Sequence, residues 1–420
     1  MSYTTLDHMP EPDIDRIEAS SSTLRALTGV PASFRIAAMM LLRARKGQIR
    51  FRLPNGRLLV FNHGIDGPRA EVIVHKYDFA RRAMGGGDIG FAESYMDGEW
   101  STPDLTSVLR YFAVNFEAAG QLAVGGKLVR ALNKVRHAFN RNSKTGSRRN
   151  IEAHYDLGNE FYSTWLDSTM TYSSAIFEQE GQTLEQAQHS KYKKIADTLN
   201  LQPDQHVLEI GCGWGGFAEH VATENQAKVT CLTISPSQRE FALKRVHEAG
   251  LSERVEIRLE DYRDHIGLYD GVASIEMFEA VGESYWPSYF DKVRTSLKQG
   301  AAAALQIITI DDTIFQSYRK RADFIQHYIF PGGMLPSESA LRQQCDRAGL
   351  VLKDTFYFRE DYAETLRQWA QQFDLQWPSI QRLGFDERFR RLWMFYLSYC
   401  EAGFIQGRID VGQFTLARTT

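Results

Sequence analysis

Two rhythms of apolar and polar residues run along the chain. Up to about residue 120 the segments are short and mixed. "PASFRIAAMMLLRARK" (31–46) places apolar residues at helical spacing and ends in basic ones, which predicts an amphipathic helix. "QIRFRLPNGRLLVF" (48–61) alternates apolar and charged residues around Asn55-Gly56, which predicts a hairpin. From about 151 short apolar runs alternate with helix-like blocks, the pattern of a mostly parallel sheet covered on both faces. Seven runs read as strands: 206–210, 228–234, 255–259, 269–275, 301–310, 350–358 and 414–418. Two aromatic-rich helical blocks, 361–378 and 385–404, fall between the last two. The expected organisation is a mobile N-terminus (1–23), a small α+β domain (24–120), a basic linker (121–150) and a doubly wound α/β domain (151–420).

The linker changes the picture through charge. Eight Lys or Arg residues and no acid lie between Lys127 and Arg149, and Leu128, Ala131, Leu132, Val135 and Phe139 recur at helical spacing. The segment reads either as a basic amphipathic helix lying on an anionic surface or as a solvated linker. The whole chain is close to balanced, with a net charge of −3 over 420 residues, which speaks against nucleic-acid binding driven by phosphate neutralisation. The four cysteines are scattered and form no C-x-x-C pair, so neither a disulfide framework nor a zinc site is signalled, and a reducing cytoplasm is expected. No spacing of His, Asp and Cys points to a metal. No leader pattern opens the chain, and no apolar stretch approaches the roughly 20 residues of a membrane span, so membrane contact is expected to be peripheral, at the inner face of the cytoplasmic membrane.

The chemistry begins at "VLEIGCGWGG" (207–216), which follows the first strand of the α/β domain. Gly211, Gly213 and Gly216 spell G-x-G-x-x-G, a loop whose backbone approaches a ligand at a helix N-terminus. Two details count against a dinucleotide. Glu209 stands two residues before the first glycine, and the second strand ends "CLTISPSQ" without the acid that a dinucleotide ribose requires. The stretch resembles the first motif of S-adenosylmethionine-dependent methyltransferases. That likeness implies that Glu209 serves the amino-acid end of the cofactor. Thr233 and Gln238, with Ile234 between them, are then candidates for the ribose, and Glu260 and Asp261, with Tyr262, for the adenine side.

Four further motifs, "GFAESYMDGEW" (90–100), "HYDLGNEFYSTWLDSTMTYSSAIF" (154–177), "IEMFEAVG" (275–282) and "HYIFPGGMLPS" (327–337), make the chain resemble bacterial cyclopropane fatty acid synthases over nearly its whole length. The resemblance implies a seven-stranded class I methyltransferase fold of Rossmann-like type and a homodimer. It also implies transfer of a one-carbon unit from S-adenosylmethionine to cis double bonds of phospholipid acyl chains. Tyr172 and Ser173 match positions at the sulfonium and carboxylate end of the cofactor, and Ser274 and Ile275 match positions near the adenosyl group. An alkene is a poor nucleophile, so such an enzyme must position it, stabilise a carbocation and exclude water, which calls for an apolar acyl site. Phe177, Met277, Phe278 and "RRLWMFYLSYC" are candidates for its lining.

Ring closure needs a base, for which the family is thought to use bound bicarbonate. By the resemblance, Glu279, Tyr362 and the backbone of Ile308 agree with the family's anion cradle, whereas Ser174 stands for the usual Cys and Gln306 for the usual His. Both replacements keep hydrogen-bonding capacity, and neither keeps the titration. The first expectation is therefore a cyclopropane product. The rival is a methyl-branched, still unsaturated chain, formed because the cradle is altered. An N-methyltransferase of small amines and a lipid-binding protein without catalysis are more distant alternatives. Glu279 is expected to matter for either lipid product, and an anion beside it would raise its affinity for a proton.

Overall fold

The computed structural model describes residues 15–115 and 157–418. The basic segment and His154, Tyr155 and Asp156 of the second family motif lie outside the described residues. The chain divides into two compact units, residues 1–129 and 130–420.

In the first unit five strands, β1 (Arg16–Glu18), β2 (Lys46–Arg52), β3 (Leu58–Asn62), β4 (Ile65–Val74) and β5 (Trp100–Ser101), form a sheet in the order β1-β3-β2-β4-β5. The hairpin predicted around Asn55-Gly56 is β2 and β3, paired antiparallel from Gln48 opposite Asn62 to Arg52 opposite Leu58. Gly56 turns the chain with a φ of 84°, a conformation that suits glycine. The predicted amphipathic helix is Ala32–Leu41, which buries Phe34, Ala38 and Leu41. The expectation of a mobile stretch up to residue 23 fails from Arg16 onward. β1 pairs in parallel with β3, and Ser20 caps helix Ser21–Ala26 in a reciprocal box with Thr23. The polar residues that read as disorder are there satisfying a helix end.

The second unit holds β6 (His206–Ile210), β7 (Lys228–Thr233), β8 (Val255–Leu259), β9 (Tyr269–Ile275), β10 (Leu297–Ile310), β11 (Leu350–Tyr357) and β12 (Ile409–Arg418) in the order β11-β12-β10-β9-β6-β7-β8. β12 runs antiparallel to both of its neighbours, while β10, β9, β6, β7 and β8 pair in parallel. β10 and β12 start earlier than their apolar runs, at Leu297 and Ile409, because a strand extends as far as its partner supplies a ladder. Successive side chains point to opposite faces, and both faces are apolar. Val207, Val229, Cys231 and Ala304 pack under helices Leu184–Leu199, Gly216–Glu224 and Pro236–Glu248. Leu208, Val272, Leu305 and Ile307 pack against Trp286–Ser296 and Glu338–Ala348. Burial on both sides explains why these strands read as unbroken apolar runs.

The chain leaves β6 toward β7 and returns through β9 on β6's other side, so a crevice opens beyond the carboxyl ends of β6 and β9, where open α/β sheets hold ligands. Above this region the aromatic helices pack together. Arg359–Leu375 lies against Glu387–Ile405, and Trp165, Trp369 and Trp393 are all buried. The first predicted block breaks at Gln376, because Pro378 cannot continue that helix and instead opens the next, Trp377–Arg382.

Candidate active site

The loop after β6 is built on left-handed glycines. Gly211, Gly213 and Gly215 have φ values of 82°, 52° and 84°, whereas Gly216 already belongs to helix Gly216–Glu224. The third glycine of the sequence motif is thus needed for close packing: a Cβ there would lie 2.6 Å from the Tyr192 hydroxyl. The residue that needs freedom of backbone is Gly215, which the motif did not single out. At Gly213 an added Cβ meets nothing within 4 Å, and at Gly211 it would overlap the Met277 side chain at 2.5 Å. Gly211 and Cys212 donate their N–H groups to the Leu232 carbonyl, which pins the loop against the end of β7. A helix N-terminus and a glycine-rich loop at the switch point fit a small charged cofactor such as S-adenosylmethionine.

Glu209 is buried in β6, and Cys231 Sγ donates to its Oε2 at 3.5 Å. Burial pushes this carboxyl up to about 7. Thr233 Oγ1 donates to Gln238 Oε1 at 2.9 Å, and Ile234 follows the end of β7 half-buried, so the three ribose candidates share one turn. The adenine-side candidates have local partners. Asp261 holds Arg263 through both of its oxygens, and Glu260 Oε2 lies 3.2 Å from His265 Nδ1. Tyr262 packs edge-on to Tyr289. Ser274 Oγ donates to the Ile210 carbonyl at 2.9 Å, and Ile275 packs on the helix-covered face. Tyr172 donates to the Tyr396 hydroxyl at 2.8 Å, with its ring tilted against Trp369. Of the proposed acyl lining, Phe278 is core, packed on Trp286, Tyr289 and Phe290, and Met277 lies against the glycine loop. An aromatic residue at helical or turn spacing serves either purpose, and here the core claimed Phe278.

The cradle candidates do come together, around a residue that the sequence reading passed over. Glu276 follows β9 directly. Its N–H continues the ladder to the Gln306 carbonyl at 2.8 Å, while its φ of 49° turns the chain left-handed. That conformation costs a non-glycine residue roughly 1–2 kcal/mol. Its Oε1 accepts from the Ser174 N–H at 2.8 Å and from Gln306 Nε2 at 2.8 Å, and its Oε2 accepts from the Tyr362 hydroxyl at 2.6 Å. Ser174 therefore contributes its backbone, and its hydroxyl donates to the Ala175 carbonyl instead. Gln306 is oriented from behind. Gln413, directly opposite it on β12, donates to Gln306 Oε1 at 3.1 Å, and Gln306 Nε2 also faces the Ser174 carbonyl at 3.3 Å. Tyr362 is held by stacking on Phe404, with ring centroids 4.4 Å apart.

Glu279 lies one turn further on, in the 3₁₀ turn Phe278–Ala280. The Ile308 N–H donates to its Oε1 at 2.5 Å, while its Oε2 is shut away from solvent with no hydrogen-bond partner among the described residues. Burial, and then the neighbouring Glu276 charge, push its carboxyl up to about 8. Burial also raises the proton affinity of Glu276, against its three hydrogen bonds and the charge of Lys191.

Lys191 is the second group that the sequence reading missed. It is wholly buried on helix Leu184–Leu199, and its ammonium donates to Ser173 Oγ at 2.7 Å and Gln188 Oε1 at 2.6 Å. Burial lowers its pKa to about 7, while the charges of Glu276, Asp167 and Glu209 oppose that shift. The signal was its spacing. Lys191 sits four residues after Ala187 and four before Ile195, on the buried face of its helix. Gln188 also donates to the Ser173 carbonyl at 3.0 Å, and Thr365 accepts from the Ala175 N–H at 3.1 Å, so segment 173–175 is strapped to two helices. Among the described residues no group of His, Cys, Asp and Glu could hold a metal ion.

Comparison with known proteins adds to this geometry. A sequence model of the family described as mycolic acid cyclopropane synthetase matches residues 142–414. A tuberculostearic acid methyltransferase of Mycobacterium tuberculosis is 40% identical over 84% of this chain and 85% of its own length. The cyclopropane-fatty-acyl-phospholipid synthase of Escherichia coli is 35% identical over 88% of this chain and 93% of its own. Among solved structures, mycolic acid cyclopropane synthase CmaA1 complexed with SAH and CTAB superposes with a TM-score of 0.60 at 29% identity, covering 64% of this chain and 97% of that one.

Proposed function

The chain belongs to the cyclopropane synthase family of S-adenosylmethionine-dependent methyltransferases, and from that premise we propose that it adds a one-carbon unit to cis double bonds in the acyl chains of membrane phospholipids. S-adenosylmethionine, when bound, supplies an electrophilic methyl. What this chain adds is a place where a cation can form and be relieved. The observation that carries the reading is the pair of carboxyl groups Glu276 and Glu279 just beyond β9, bonded by β10, beside the glycine loop and under the aromatic helices. A buried acceptor oxygen without a partner, such as Glu279 Oε2, is costly to maintain. It is useful where positive charge develops in the transition state and not before. Trp165, Tyr172, Trp369 and Trp393 keep the surroundings apolar, which protects a carbocation from water.

The family's usual outcome, and the first reading here, is the cyclopropane. A second reading, a methyl-branched chain that keeps a double bond, is favoured by the cradle, whose donors are turned onto Glu276. It is also favoured by the 40% identical relative, whose name is that of a fatty acid methyltransferase and not of a ring-forming synthase. We further propose action at the cytoplasmic membrane surface. No helix among the described residues is long and apolar enough to cross a membrane. The test is to incubate the protein with S-adenosylmethionine and vesicles of cis-monounsaturated phospholipid, then weigh the released acyl chains before and after mild hydrogenation. A chain heavier by one CH2 that resists hydrogenation is the cyclopropane, and one that takes up hydrogen is the branched alkene. No mass gain on any acyl chain would overturn the lipid reading.

A further inference from the structure

We infer that Glu276 is a built-in base: its carboxylate fills the anion cradle of this enzyme and takes the proton that the alkylated acyl chain must lose. The inference rests on the lipid reading above for its substrate, and it departs from a bound bicarbonate on geometric grounds.

The donors that the family likeness gathers here are already spent within the chain, the Ser174 hydroxyl on the Ala175 carbonyl and the others on carboxyl groups. The Ser174 N–H, Gln306 Nε2 and the Tyr362 hydroxyl point at Glu276, and the Ile308 N–H points at Glu279. The backbone N–H groups and the phenol have one hydrogen apiece, and the second amide hydrogen of Gln306 faces the Ser174 carbonyl. A bicarbonate ion here would find the Ser174, Gln306, Tyr362 and Ile308 donors already taken and would lie against the Glu276 carboxylate, so it does not fit.

The chain maintains this arrangement against local preference. Glu276 occupies a left-handed backbone position that favours glycine, and it keeps its ladder bond to Gln306 while doing so. Strain held in place from several sides is characteristic of functional positions. The amide that faces it is set by a relay. Gln413 Nε2 lies between the Lys191 carbonyl, at 3.5 Å, and Gln306 Oε1, which leaves the Gln306 nitrogen for Glu276. A glutamine in this place orients one acceptor and cannot itself take a proton near neutral pH, so the base that Gln306 faces is Glu276.

The chemistry balances without a further reactant. The π pair of the double bond forms the new C–C bond to the methyl, and the C–S bond breaks with its pair left on sulfur. A carbocation remains on the acyl chain. Glu276 Oε1 already accepts two hydrogen bonds, so the proton goes to Oε2, which has accepted only one, from Tyr362. The electron pair of the broken C–H bond closes the ring or forms a new double bond, and the proton passes on to solvent. Burial makes the carboxylate a stronger base than one in water, and the Tyr362 hydrogen bond tempers it.

The test combines a binding arm with a turnover arm. 13C-labelled bicarbonate titrated into wild-type protein and into Glu276→Gly, followed by NMR, should show no bound anion in the wild type and one in the variant, where three donors are released. In vesicles of cis-monounsaturated phospholipid, wild-type turnover should be unchanged in carbonate-free buffer. Glu276→Gln should lose ~100-fold or more in kcat, with S-adenosylmethionine affinity unchanged. Glu276→Gly should regain activity when bicarbonate is added. Bicarbonate bound to the wild type, wild-type activity that falls when carbonate is removed, or a Glu276→Gln variant within about threefold of wild type would each overturn the inference. A wild type that excludes bicarbonate and yet yields no one-carbon product sinks the lipid reading, and the proton-acceptor role with it, while leaving the filled cradle standing.

Discussion

Glu276 and Glu279 sit three residues apart after the same strand, and their surroundings are opposite. One carboxylate receives a backbone N–H, an amide and a phenol. The other receives a single backbone N–H and leaves an oxygen with nothing to accept from. Burial, and then the charge of the first beside it, raise the second to about 8. A base and a group held ready for a developing cation need these two conditions, and the contrast teaches how one turn of chain can provide both. Sequence reasoning anticipated that an anion beside Glu279 would raise its proton affinity. The anion is a side chain of the protein.

The comparison is broken most severely by Glu279→Gln. Losing the ionisable carboxyl that faces the developing cation should lower kcat about 10²–10³-fold with little change in S-adenosylmethionine affinity, measured by vesicle turnover and calorimetry. Tyr362→Phe removes the donor at Glu276 Oε2 and should cost about 1.5–3 kcal/mol at the transition state, roughly 10-fold or more in kcat. The next test uses proton linkage. Glu279 is raised from 4.5 to about 8, so the native state binds this proton more tightly than the unfolded chain does. The associated stability is complete below pH 4.5 and is lost as pH rises through about 8. Urea denaturation between pH 5 and 9 should show that loss in wild type and a flatter profile in Glu279→Gln, and Glu276→Gln should move it to lower pH. The smallest effect is expected from Ser174→Ala. Because Ser174 acts through its N–H and its hydroxyl bonds Ala175, kcat should fall by no more than about 3-fold. A larger loss would mean that the hydroxyl reaches the cradle during turnover.

The two halves of the site were unequally legible. The glycine loop could be read because its chemistry is local: a strand, a left-handed turn and a helix start occupy consecutive residues. Even there the sequence pattern pointed to Gly216 where the backbone requires Gly215, since packing against Tyr192 and positive φ leave the same letter. Asp261, a candidate for the adenine side, also holds Arg263 two residues on, a pairing that the sequence reading did not single out. Lys191 and Glu276 were passed over because charged residues are read as solvent-facing by default, and nothing next to either one in sequence shows its burial or its partners.

By itself the sequence determined the periodicities, and with them seven strands, the helices that cover them, the hairpin of the first unit and the glycine loop. These follow from backbone geometry and from burial of one residue at a time, which neighbouring residues express. The tertiary structure alone decided where the cradle donors point. Ser174, Glu276, Gln306, Tyr362 and Gln413 come from separate elements. A hydrogen bond needs its donor and acceptor within about 3 Å, and only the folded sheet, with β9, β10 and β12 in register, brings such distant residues that close.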